Sequence, residues 1–196
     1  MKHLKKIYTI LIATLISTTM SSCGSDDDNG SGTPNPDEMF GYISVTITGA
    51  IEATHECENR ASCVVVFSEN VTEAGNTAIY SWAVETGDYN TFIFSINTTS
   101  FNSPVSRPTP GTYEIGSEMS PFFSAGYSNI EGGLNDDQSY RTTSDVGGTL
   151  VIESSSNEKV TGSFQFTAIH IDEGDDRTIN VNGEFIAINE DALEGL

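Results

Sequence analysis

The chain has 196 residues, 28 of them acidic and 8 basic, for a formal net charge of −20 at neutral pH. Such a field repels phosphate backbones and anionic lipid headgroups, which argues against a nucleic-acid partner and against polybasic membrane docking. Cations, neutral glycans and basic proteins stay compatible with it.

Taken in chain order, the sequence begins as a secretory signal over residues 1–22. Lys2, Lys5 and Lys6 are followed by a short apolar run, Ile7 to Ile16, that ends at Ser17-Thr18-Thr19. A bilayer core of ~30 Å needs about 20 apolar residues as helix, so this run reads as a cleaved signal and not as a span. Ser21 and Ser22 directly before Cys23 resemble a bacterial lipobox, which implies that Cys23 becomes the acylated first residue of the mature protein. Several fatty-acyl chains of the palmitate kind, at ~0.8 kcal/mol per buried CH₂, would hold the protein to a membrane far more firmly than one chain. The next residues, Gly24-Ser25-Asp26-Asp27-Asp28, resemble the acidic export signal of Bacteroidota lipoproteins shown on the outer face of the outer membrane. Ser25, Asp26, Asp27 and Asp28 therefore imply an outer-membrane location facing the cell exterior. A plain solvated acidic linker is the alternative.

Residues 23–38 are rich in Gly, Ser, Asp, Asn and Pro and have little to bury, which predicts a flexible tether reaching on the order of 20 Å. A single domain is expected over 39–189 and a frayed acidic tail over 190–196. Within the domain, period-2 alternation recurs and helical periodicity is nearly absent. The fold class expected is all-β, an antiparallel sandwich or flattened barrel of about 8 to 10 strands, mostly meander.

The first strand is placed from Tyr42 to about Thr54, with Ile43, Val45 and Ile47 inward, Ser44, Thr46 and Thr48 outward, and Gly49 as a bulge. Cys57 and Cys63 follow, with five residues between them at what reads as the mouth of a hairpin, and in an exported chain they predict a disulfide stapling two strands. A metal site of His55, Cys57 and Cys63 is the sharper alternative, and it lacks an evident fourth ligand. Thr77–Glu85 and Tyr89–Asn97 are expected to form a hairpin around Thr86-Gly87-Asp88, with Trp82 opposite Phe92 and Tyr80 opposite Phe94. Regular alternation makes these aromatics core, ahead of a sugar-stacking role for Trp82.

From Thr98 to about Ser120 the rhythm fails, with Pro104, Pro108 and Pro110 in a long loop of the sort that carries binding on β scaffolds. Phe101, Arg107, Phe122 and Phe123 are the candidate recognition surface, aromatics beside a lone cation in an acidic protein. The plainer reading has Phe122 and Phe123 opening a strand that runs to Tyr127. Residues 129–146 form a loop with one short strand.

Three C-terminal strands can be registered from sequence. Glu153 opposite Lys159 pairs Leu150 with Gly162 and Gly148 with Phe164; Ile171 opposite Thr178 pairs His170 with Ile179 and Phe166 with Gly183. Ile152, Leu150, Val160, Phe164, Phe166, Ala168, Val181 and Phe185 then share an inward face, and Gln165, Thr167, Asn180, Asn182 and Glu184 the wet one. Gly111-Thr112-Tyr113, the stretch 148–152, the stretch 160–168 and Asn182-Gly183-Glu184-Phe185 resemble the recurrent pattern of a Bacteroidota lipoprotein family of uncharacterised function, over about the last 80 residues of the domain. These motifs imply a fold and contribute no functional residues.

No cofactor loop or nucleophile elbow is evident, and no cofactor is expected. Asp172, Asp175 and Asp176 on a hairpin tip are a weak Ca²⁺ candidate, without EF-hand spacing. The chain reads as noncatalytic: a surface lipoprotein serving as an accessory or interaction module, with an outer-membrane protein as partner. A ligand-binding β domain for a glycan or small apolar molecule is the alternative, ahead of a hydrolase drawing on its many carboxylates.

Overall fold

The computed structural model describes residues 40–58, 63–88, 91–116, 122–131, 138–172 and 174–193. The tether, Cys23 and the acidic stretch 25–28 lie outside the described residues. Eleven strands run β1 (Tyr42–Gly49), β2 (Ala53–Glu58), β3 (Val64–Ala74), β4 (Thr77–Asp88), β5 (Phe92–Phe101), β6 (Gly111–Ile115), β7 (Ser124–Asn129), β8 (Ser139–Arg141), β9 (Gly148–Ser155), β10 (Lys159–His170) and β11 (Thr178–Asn189).

The strands form two layers joined at their corners. One layer has the order β6-β9-β10-β11-β1-β2 and is antiparallel throughout; the other has the order β3-β4-β5-β7-β8. At one corner the end of β11 pairs in parallel with β3, Ile188 against Val66 and Asn189 against Phe67. At the other the end of β10 pairs with β8, His170 against Tyr140. A ring therefore closes through β11, β3, β4, β5, β7, β8 and β10, with β1-β2 and β9-β6 as flaps outside it. The all-β class expected from alternation is the fold found, as a mostly antiparallel, ring-like sheet that is not a regular barrel, with eleven strands where about 8 to 10 were expected.

Alternation fixes what lies between the layers. Ile43, Val45 and Ile47 of β1, Val65 and Phe67 of β3, Trp82 and Val84 of β4, and Phe92, Phe94 and Ile96 of β5 are all buried. So is the whole inward set expected on β9, β10 and β11. At the centre Phe94 stacks on Phe164 at 4.6 Å between centroids, and Phe166 and Phe185 lie 6.0 and 6.4 Å from Phe164. Aromatic contacts of this kind add about 0.5–1.5 kcal/mol each beyond the area they bury.

Several local expectations need correcting. The first strand is two: Gly49 has φ of +115°, a backbone geometry that favours glycine, and the chain turns back there into β2. The β4–β5 turn falls after Asp88, so Trp82 faces Thr98 and Tyr80 faces Ser100. Glu85 opposite Tyr89 placed that turn too early, because Thr86-Gly87-Asp88 reads as turn chemistry while remaining in β4. In the C-terminal sheet the register is displaced by two: Gly162 faces Ile152 and Phe185, Gly183 faces Phe164, and Gly148 faces Phe166. On the turn side of a bulge between Thr161 and Gly162 the shift is three, with Val160 facing Ser155. Beyond that bulge the displacements are even, which keeps the side chains on the faces expected of them.

The loop after Phe101 is shorter than expected, since β5 reaches Phe101 and β6 occupies Gly111–Ile115. The tail begins with a 3-10 turn, Glu190–Ala192, whose N-cap Asn189 accepts a hydrogen bond from the Asp191 backbone amide at 3.0 Å.

The disulfide is present, linking Cys57 and Cys63. It does not staple a hairpin, because β2 belongs to the edge of the six-stranded layer and β3 to the five-stranded one. It ties the two layers together beside buried Thr86, whose Oγ1 lies 3.8 and 3.9 Å from the two sulfurs. The loop-entropy model gives this short ring about 2 kcal/mol. Cys57→Ala with Cys63→Ala is expected to lower the denaturation midpoint by that free energy in urea with an unchanged slope, and a midpoint equal to wild type would show the link to be dispensable.

Candidate functional site

On the outer side of the six-stranded layer, strand pairing sets polar side chains in two parallel rows. One row is Thr46, Asn182, Gln165 and Thr149; the other is Ser44, Glu184, Ser163 and Val151. Each row crosses β1, β11, β10 and β9 in that order, and with strands ~4.8 Å apart it extends roughly 14 Å. These residues line an open concavity of about 610 Å³. Beneath it lies the aromatic interior, with the Phe164 ring packed against Gly183 from the core side. The floor is a central piece of sheet, so the rows are held by ladder hydrogen bonds on both sides.

Rows on either side differ in how their polar groups are used. Thr167 Oγ1 donates to Asn180 Oδ1 at 3.0 Å, and the Ser154 and Thr161 hydroxyls lie 2.7 Å apart. Within the concavity Asn182 reaches only the Thr46 carbonyl, at 3.5 Å. The side chains of Ser44, Ser163, Gln165, Thr149 and Glu184 make no hydrogen bond to another described residue.

The candidate surface from sequence separates into different environments. Phe101 is 48 % exposed at the end of β5 and Phe122 is 37 % exposed just before β7. Thr98 Oγ1 donates to the Phe122 carbonyl at 2.8 Å, which sets Phe122 alongside β5, close to the end that carries Phe101. Ile79 of β4 is paired directly with Phe101, extending this outward row across the five-stranded layer. Phe123 does not belong to it: it is 4 % exposed and packs edge-on against Trp82 and Tyr113 at 5.8 and 5.4 Å. Alternation explains the split, because consecutive strand residues point to opposite faces.

Arg107 is not an open cation either. Its guanidinium donates to Asn157 Oδ1, lies 3.7 Å from the Glu69 carboxylate and sits over the Phe67 ring at 5.8 Å. It straps the 102–110 loop across the end of the domain. Trp82 is fully buried in the core, so the sugar-platform reading is withdrawn.

Both described histidines have packing partners. His55 Nε2 is 2.8 Å from the Tyr127 hydroxyl and its ring stacks on Phe92 at 4.3 Å. With Cys57 and Cys63 joined to each other, the thiolate pair of the metal alternative is consumed. Desolvation, and secondarily neighbouring Tyr140, push the Tyr127 phenol up, so it stays a neutral hydroxyl beside His55.

At the β10–β11 turn an arginine takes up one carboxylate of the calcium reading. Arg177 Nε donates to both Asp175 oxygens at 2.8 and 3.1 Å, and its Nη2 is 2.7 Å from Oδ2. Asp175 also faces buried His170, Nδ1 to Oδ2 at 3.3 Å, while Asp172 lies 3.9 Å from the same nitrogen. The Asp175 oxygens are therefore engaged, while Asp172 and Asp176 face solvent. Hydrogen bonds from the Arg177 side chain, then from its backbone, hold the Asp175 carboxyl at about 2. A depressed carboxyl contributes stability that is full above its unfolded value near 3.9 and is lost as pH falls through about 2. Asp175→Asn is expected to flatten the fall in melting temperature between about pH 4 and pH 2. Identical acid limbs for the two proteins would contradict that assignment.

Residues 79–189, from within β4 to the end of β11, match the model of a domain of unknown function, DUF6252. The chain belongs to this family. The DUF6252 match contains three of the four strands under the concavity, β9, β10 and β11, while β1 lies ahead of it. It also omits β3, whose pairing with β11 closes the ring, so the folded unit extends to the N-terminal side of the matched stretch. No curated protein and no solved structure matches the chain.

Alternation had already placed Gln165, Asn182 and Glu184 on a wet face. Sequence reasoning missed that Ser44 and Thr46 join them, because β1 meets β11 from the opposite end of the domain. The usable signal was the run of small and amide side chains at every second outward position of β1, β10 and β11.

Proposed function

We propose that this protein is a noncatalytic lipoprotein of the outer membrane, anchored through Cys23 and displayed outward, that serves as an accessory module by binding a partner protein. The observation that carries the reading is the outward aromatic row on the five-stranded layer, where Phe101 and Phe122 are exposed beside Ile79. Exposed aromatics grouped on a rigid sheet are the usual energetic centre of a protein contact. Around them Ser81, Asn97, Thr99 and Ser124 are small or polar, which suits a rim. The stacked interior of Phe94, Phe164, Phe166 and Phe185 weighs against an internal pocket for an apolar ligand, so recognition falls to the outer faces.

Two measurements test the anchor and the contact separately. Metabolic labelling with an alkyne fatty acid should mark the wild type and not Cys23→Ala, which should leave the membrane fraction; equal labelling would sink the anchor. Gentle detergent extraction of the tagged protein followed by mass spectrometry should recover a membrane protein at near unit ratio, lost in Phe101→Asp with Phe122→Asp. Recovery of the same partner by that double variant would remove the aromatic row from the interface.

A further inference from the structure

We propose that the concavity on the outer side of the six-stranded layer is a binding site for a neutral oligosaccharide. It lies on the layer opposite the aromatic row and stands independently of the protein-docking reading. Three observations meet there.

The lining is uncharged hydrogen-bonding chemistry in a chain otherwise dominated by carboxylates. Asn182 and Gln165 each offer an amide with donors and an acceptor, and Ser44, Thr46, Ser163 and Thr149 offer hydroxyls that do both. Glu184 sits in the middle of one row and accepts only, and Glu56 and Glu114 stand at the row ends, opposite Ser44 and Thr149. Sugar hydroxyls, each donor and acceptor, match this inventory. An anionic polymer is repelled by the net charge of −20.

These groups are also unused. Neighbouring outward rows satisfy one another through Thr167–Asn180 and Ser154–Thr161, whereas five side chains of the concavity make no bond to a described residue. Facing solvent, they are available to a ligand that replaces water on them.

The third observation is geometric. Side chains at matched positions on four adjacent strands form a straight track of roughly 14 Å, long enough for a few sugar rings in line. The strands that carry it are pinned on both flanks and backed by packed phenylalanines, so little ordering entropy remains to be lost on binding. Glu184 and Gln165, diagonal neighbours across β11 and β10, are placed to take paired ring hydroxyls.

The test uses the full chain in detergent micelles, run by affinity electrophoresis through gels holding dextran, mannan, laminarin, galactan or xylan, with polygalacturonate and heparin as anionic comparisons. Retardation by at least one neutral polymer is expected, and Gln165→Ala with Asn182→Ala should weaken it at least tenfold. Both positions are exposed, so the melting temperature of this variant should stay near wild type. Ser163→Arg, which fills the track instead of emptying it, should abolish retardation too. The Phe101→Asp with Phe122→Asp variant should bind as wild type, which separates this site from the protein contact. Migration unaffected by all five neutral polymers, retardation by the anionic polymers alone, or full binding by the Gln165→Ala with Asn182→Ala variant would each overturn the proposal.

Discussion

Gly183→Ala is expected to destabilise the domain by about 3 kcal/mol, although it adds a single methyl group. A Cβ at this position would stand 2.0 Å from the Ser44 carbonyl oxygen and 2.7 Å from Phe164 Cζ. Neither neighbour can yield cheaply: the carbonyl belongs to the β1 ladder, and the Phe164 ring is locked in the stack with Phe94. The strand would have to move away from β1 or the central ring would have to leave its place. For a domain of roughly 150 residues such a loss lowers the melting temperature by roughly 10 °C. Gly111→Ala is the control, because nothing lies closer than 3.8 Å to the point where its methyl group would stand, and it should be near neutral. Equal melting temperatures for the two variants would show that β11 and β1 shift apart freely.

Phe164→Ala is expected to cost about 4 kcal/mol. Its ring is the shared member of three contacts, with Phe94, Phe166 and Phe185, and it also covers the glycine of the neighbouring strand. Deleting it leaves a void bounded by rings that cannot collapse inward without abandoning their own stacking. The two sites are coupled, so Gly183→Ala should cost less in a Phe164→Leu background than alone, the remaining penalty being the clash with Ser44. Urea unfolding of the four proteins in the cycle measures that coupling. Strict additivity would mean the ring does not press on Gly183.

These two residues also show how far the sequence could be read. Alternation assigned Phe164 to the core and Gly183 to a strand opposite a large side chain, and both hold. Their partnership was not legible, because the hairpin register depended on where the turn after Ile171 closed. A displacement by two positions leaves the faces intact and exchanges every partner. Turn chemistry informs neighbouring strands only, so β1 against β11, β6 against β9 and β3 against β11 had no local signal at all. Arg107 was misread for a related reason. A cation flanked by prolines looks unengaged until folding brings Glu69 and Asn157 to it from remote segments. Asp175 is the reverse case: its partner Arg177 is two residues away, and sequence already set that cation against a calcium site at this tip. Of the concavity, the β10 and β11 positions were readable as a wet face, and its shape and its β1 contribution were not.

The position of β11 has a consequence for how the protein is made. This strand pairs with β10, with β1 and with β3, so it joins the first-made hairpin to the last and completes the ring. Ribosomes deliver it last. Until then the strands can form only an open eight-stranded sheet, β3-β4-β5-β7-β8-β10-β9-β6, and a separate β1-β2 hairpin, each with unpaired edges. Completion of the ring therefore waits for the last strand of the domain.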